Sequence, residues 1–87
     1  MLPSAISIYP NPVIEGKVNV SFVNEAAGKY QLTIINLTGQ MVHAEELKLE
    51  TSNLQKRIDL SNAAAGNYQL LIQDEKGFTK KIAFVIK

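Results

Sequence analysis

The sequence predicts an all-β fold, a seven-stranded antiparallel immunoglobulin-like β-sandwich, and three observations carry that expectation. Short apolar/polar alternations recur at about the 8–12-residue spacing of sandwich strands. Turn residues separate them, above all glycine. Hydrophobic residues follow a period of two and nowhere sustain a helical period.

Ile6 and Ile8 share one face of a short first strand, which Pro10 ends because proline brings no N–H to a ladder. From Lys17 to Val23, Val18, Val20 and Phe22 alternate with Asn19 and Ser21, so one face is apolar. From Lys29 to Leu37 the inner face is Tyr30, Leu32 and Ile34. Ile35 and Leu37 are apolar on the other face, which predicts a far end covered on both sides. Gln40 to Leu49 changes phase: Val42 and Ala44 share one parity, Leu47 and Leu49 the other. A bulge near Glu45-Glu46 or a switch between sheets is expected there. Leu54, Ile58 and Leu60 mark the fifth strand, with Lys56 of the same parity near an edge. Tyr68, Leu70 and Ile72 mark the sixth, and Ile82, Phe84 and Ile86 the last.

Ala27-Gly28, Thr38-Gly39 and Lys76-Gly77 place glycine where a turn requires positive φ, and Asp74 to Gly77 predicts a four-residue hairpin loop. Ser61 or Asn62 is expected to cap one short helical turn that Gly66 ends. The expected interior is Val18, Val20, Phe22, Leu32, Ile34, Leu70, Ile72, Ile82 and Phe84, since a one-residue slip would expose the whole apolar set. The Cys-Trp-Cys signature of antibody domains is missing, and no internal repeat or low-complexity tract is read.

Eighty-seven residues, 46% hydrophobic and 20% charged, fit one ordinary globular domain. The sequence has no cysteine, hence no disulfide, thiolate nucleophile or cysteine metal site. That points away from eukaryotic secretion and is compatible with bacterial secretion or the cytosol. Nine basic and eight acidic residues leave +1, too balanced for a nucleic-acid partner or an anionic membrane surface. No apolar run approaches the ~20 residues of an integral membrane segment. Met1-Leu2-Pro3-Ser4 lacks the regions of a signal peptide, so if the protein is exported its signal is expected upstream on a longer parent chain. Residues 1–5 read as a linker or leftover, residues 6–87 as the domain.

No constellation supports catalysis. His43 is the single histidine, and a triad or metal centre needs further partners. Glu45 and Glu46 are adjacent on a strand and point to opposite faces, which rules out a local carboxylate dyad and reads as a solvated face. Asp74-Glu75 falls short of the oxygen count calcium demands. Asn19-Val20-Ser21 and Asn36-Leu37-Thr38 fit the glycosylation tripeptide, which arises readily by chance. Lys80-Lys81 reads equally well as the lysine defence of an edge strand or as a recognition feature. The reading is a non-enzyme with no cofactor and no metal.

Tyr9-Pro10-Asn11-Pro12 near the start, Gly16 with Val18-Asn19-Val20, and Ile34-Ile35-Asn36-Leu37-Thr38-Gly39-Gln40 come in that order. Asp59-Leu60-Ser61, then Gly66-Asn67-Tyr68, and finally Lys80-Lys81-Ile82 and Lys87 follow them. As an ensemble these resemble the type A C-terminal sorting domain of the type IX (Por) secretion system of Bacteroidetes, over nearly the whole chain. One departure is Ala63-Ala64-Ala65, where such domains carry a bulky aliphatic residue before Gly-x-Tyr. The resemblance implies a secretion signal that takes a parent cargo through the outer-membrane translocon and is removed by a sortase upstream of the proline motif. It implies passage through the periplasm, then the cell surface or the extracellular space. Pro10, Asn11, Pro12, Gly66, Tyr68, Lys80, Lys81 and Lys87 are the recognition residues it points to. A weak homodimer through pairing of the first or last strand is also expected.

The alternative is a fibronectin-like adhesive or carbohydrate-binding accessory module. Sugar sites need exposed aromatic platforms. This chain has no tryptophan, three tyrosines and three phenylalanines, most of them on apolar strand faces.

Overall fold

The structure, a computed structural model, describes residues 5–9, 16–23 and 25–87. Among the described residues there are seven strands and no helix. β1 (Ala5–Tyr9), β2 (Lys17–Val23) and β5 (Leu54–Asp59) form one antiparallel sheet in the order β1-β2-β5. β3 (Gly28–Asn36), β4 (Met41–Leu49), β6 (Gly66–Asp74) and β7 (Thr79–Ile86) form the other, in the order β4-β3-β6-β7. In the constant-type immunoglobulin arrangement the fourth strand joins the sheet of the first, second and fifth. Here β4 has moved to the opposite sheet.

Alternation decides the interior as expected. Val18, Val20, Phe22, Leu32, Ile34, Leu70, Ile72 and Phe84 are buried, and Ile82 is half-buried against the rim of the core. Tyr30, Leu49, Ile58, Leu60, Tyr68 and Ile86 complete the interior. The Phe22 and Tyr30 rings meet across the two sheets with centroids 5.5 Å apart, in the tilted geometry that aromatic pairs favour.

Three local expectations are corrected. β4 has no slip at Glu45-Glu46: His43, Glu45, Leu47 and Leu49 all face inward. The bulge lies earlier, where the register passes from Ile34↔His43 to Ile35↔Met41 and leaves Val42 as the extra residue. The far end of β3 is not covered on both sides either. Leu37 has already entered the turn and is 78% exposed. Finally, residues 61–65 form no helical turn. Asp59, not Ser61 or Asn62, supplies the cap by accepting the Ser61 N–H (2.9 Å), and one reverse turn follows, closed by Ala63 N–H to Leu60 O (2.8 Å). Burial of Leu60 fixes that turn against the core.

A repeat is also present, contrary to the sequence reading. Ala26-Ala27-Gly28-Lys29-Tyr30-Gln31-Leu32 returns 38 residues later as Ala64-Ala65-Gly66-Asn67-Tyr68-Gln69-Leu70. The hydroxyls of Tyr30 and Tyr68 each donate to the carbonyl four residues back, Ala26 and Ala64, at 2.5 Å. Tyr68, at the start of the sixth strand, is the tyrosine corner of immunoglobulin-like sandwiches, and Tyr30 duplicates it.

The following turns match as well. The Asn36 N–H donates to Gln40 O (3.0 Å), and Asn36 Oδ1 accepts the N–H groups of Thr38 (3.0 Å) and Gln40 (2.9 Å). The Asp74 N–H donates to Phe78 O (3.0 Å), and Asp74 Oδ1 accepts those of Lys76 and Phe78 (2.9 Å each). Gly39 and Gly77 close these turns at φ +85° and +90°, a conformation costly for any side chain with a Cβ. Thr33 pairs with Leu71, its own counterpart in the repeat, so a pseudo-twofold axis passes through that pair. The Val42 bulge is the departure from that symmetry.

Candidate recognition surface

Gly66 opens β6 at φ +152°, and open space surrounds the place where its β-carbon would sit. Glycine is there for its backbone, not for lack of room. Two residues on, Tyr68 faces inward, buried, with its ring stacked on Phe84 at 5.9 Å. Gly66-x-Tyr68 therefore sets a bare backbone beside an anchored ring. Asp59-Leu60-Ser61 works in a comparable way. Leu60 is buried and its N–H donates to Gly16 O (2.6 Å), tying β5 to the start of β2. The backbone hydrogen bond from Ser61 holds the Asp59 carboxyl below its usual range.

The lysines lie on β7. Lys80 stands opposite Ile72 and Lys81 opposite Leu71, so the two point to opposite faces, and both are exposed. Lys87 is exposed and follows Ile86, which pairs with Gly66. The candidates thus form two groups, Gly66 and Lys87 at one end of β7 and Lys80 and Lys81 at the other, about 20 Å apart at ~3.3 Å per residue. Pro10, Asn11 and Pro12 lie outside the described residues.

A profile of the family described as secretion system C-terminal sorting domain matches residues 7–87. The chain belongs to this family. No curated protein matches it. As a type IX C-terminal sorting domain it acts with the secretion machinery, and its family places it on the way to the cell surface or the extracellular space as part of a larger protein. Among the described residues no helix is long and apolar enough to cross a membrane.

The polar side chains that drew attention in the sequence have structural work in this sorting domain. Asp74 holds its turn, and Glu75 Oε1 accepts the Lys29 N–H (2.6 Å). Asn36 likewise holds its own turn. Glu45 is no solvated carboxylate. It faces inward and sits between His43 Nε2 (2.9 Å) and Lys56 Nζ (3.2 Å), joining the edge strands β4 and β5 of the two sheets. Among the described residues no three acidic, histidine or cysteine side chains gather as metal ligands. Leu37 and Asn67, which the sequence does not single out as site residues, share a groove with Gly66. The repeated Ala-Ala-Gly-x-Tyr was the signal that could have found Asn67, whereas Leu37 lies outside both copies.

Proposed function

We propose that this sorting domain directs a parent cargo protein from the periplasm through the outer-membrane type IX translocon and is then removed by a sortase upstream of Pro10-Asn11-Pro12. In this reading the domain, residues 6–87 behind a linker at 1–5, is ligand and substrate rather than catalyst. The observation that carries it is the family match over residues 7–87. Recognition falls to the proline motif, Gly66, Tyr68, Lys80, Lys81 and Lys87. Lys81 is the cleanest of these to test, because it is exposed and opposes Leu71 on the solvent face. A translocon surface lined with carboxylates discriminates against its loss. β1 and β7 end their sheets, and weak homodimerisation through those edges belongs to the same proposal.

The test is a fusion of a signal peptide, a reporter and this chain in a host with the secretion system. Lys81→Ala is expected to abolish export and cleavage while changing stability by no more than ~0.5 kcal/mol, the usual range for surface substitutions. A variant that melts like wild type and is exported normally overturns the assignment of Lys81. Removal of residues 86–87 is a poorer test, because Ile86 is buried in the core.

A further inference from the structure

The repeat builds the same corner of the four-stranded sheet twice, and the two corners are closed differently. At the first, Lys29 lies one residue beyond the last β3–β6 pair, Tyr30↔Asp74, and its N–H is met by the Glu75 carboxylate (2.6 Å). At the second, Asn67 lies one residue beyond the Asn36↔Tyr68 pair, and the residue in the place of Glu75 is Leu37. Backbone groups along a strand alternate in direction. Asp74 donates towards β7, so Asn67, of the opposite parity in β6, turns its N–H towards the β3 side, where Leu37 offers no side-chain acceptor.

A groove of about 250 Å³ lies there, lined by residues 36–38 and 65–68, none of them acidic. Gly66 leaves its floor bare, and the Gly66↔Ile86 pairing sets Lys87 at its side. Leu37 lines it and Val85 pairs with Asn67 beside it, exposed at 78% and 38%.

We propose that this open groove receives an aspartate or glutamate side chain from an extended segment of a partner protein, its carboxylate seated on the Asn67 N–H as Glu75 is seated on that of Lys29. The proposal rests on the sorting reading and names the chemistry of the contact beside Gly66. Charge complementarity favours a carboxylate: the lining carries no negative charge, an N–H faces the groove, and a lysine adjoins it. Leu37 and Val85 offer apolar support to the neighbours of that acidic residue.

Two measurements test it. In the first, the 87-residue chain, labelled with nitrogen-15, is titrated with the blocked pentapeptide Val-Thr-Glu-Thr-Val and with its glutamine counterpart. The glutamate peptide is expected to shift the Asn67 amide most and the glutamine peptide to leave it in place. Leu37→Glu, which supplies its own carboxylate, is expected to show the Asn67 amide already shifted and to lose the response. Equal effects of the two peptides, or shifts elsewhere, overturn the proposal. In the second, the Leu37→Glu fusion is expected to lose about tenfold in export while melting no lower than wild type, and Leu37→Gln to be exported normally. Normal export of Leu37→Glu overturns the groove contact alone. A wild-type fusion that is not exported overturns the sorting reading itself.

Discussion

The backbones of Gly16 and Ser61 touch so closely that a β-carbon on Gly16 would lie 2.6 Å from the Ser61 Cα and 2.9 Å from its nitrogen. Both obstacles are main chain, and Leu60 is held at the same place by its hydrogen bond to Gly16 O. Gly16 is also at φ +69°, where a side chain adds strain of order 1–3 kcal/mol. Gly16→Ala is therefore expected to destabilise the domain by at least about 2 kcal/mol, a fall of ~10 °C or more in Tm. A variant within 0.5 kcal/mol of wild type, by this rule of thumb for harmless changes, would contradict the contact.

The two corner tyrosines should behave alike and independently. Tyr30→Phe and Tyr68→Phe each remove one hydroxyl and leave a carbonyl, Ala26 or Ala64, without its donor. Each is expected to cost about 1–2 kcal/mol. Tyr68 lies six residues along β6 from Asp74, the partner of Tyr30, hence ~20 Å away. At that separation the double variant should equal the sum of the singles to about 0.5 kcal/mol. Urea unfolding of the three variants measures it, and a larger coupling would mean that the corners communicate through the sheet.

The Glu45 bridge predicts an acid limb. Burial pushes its carboxyl up, but hydrogen bonds from His43 and Lys56 outweigh that and hold it below the usual range. A folded-state value below the unfolded one, ~4.3 for glutamate, gives stability that is present above that pH and lost as pH falls through the folded value. Asp59 acts in the same direction. Glu45→Gln should lower stability at pH 7 by about 1 kcal/mol or less, since the site is partly exposed. The gap should close below about pH 4. Melting curves across pH 3 to 7 on both proteins decide it, and a pH-independent gap would assign the loss to packing.

What the sequence discloses is what alternation encodes. Val18, Val20 and Phe22 have no choice of face, and neither do Leu70 and Ile72. Alternation cannot say which residue of β4 is the extra one. Glu45 looked like an outer residue because polarity was read as direction where an edge had put a bridged carboxylate inside. Leu37 looked covered for the same reason. Ala-Ala-Gly-x-Tyr was visible twice, but each copy by itself reads as a turn and a strand. Its meaning as a repeat comes from the matching hydrogen bonds of Asn36 and Asp74. For the recognition surface, the exposure of Lys80 and Lys81 was legible. The nearness of Gly66 to Lys87 depends on the β6–β7 register, which no local pattern encodes.

The twofold-related hairpins bear on how the chain finds its structure. β3–β4 and β6–β7 each close over a short turn whose backbone groups are already satisfied, whereas β5 must reach β2 across the whole β3–β4 hairpin. Closing short loops costs less entropy, and local contacts speed folding. The two hairpins should therefore be built in the transition state, and the β3–β6 and β2–β5 pairings, each of which closes at least 32 residues, are added afterwards. Leu70→Ala is then expected to slow folding, and Ile58→Ala to speed unfolding with little effect on the folding rate. Stopped-flow chevrons distinguish the two. In kinetic terms, the hairpins set how fast the label matures and the docking of β5 how long it lasts.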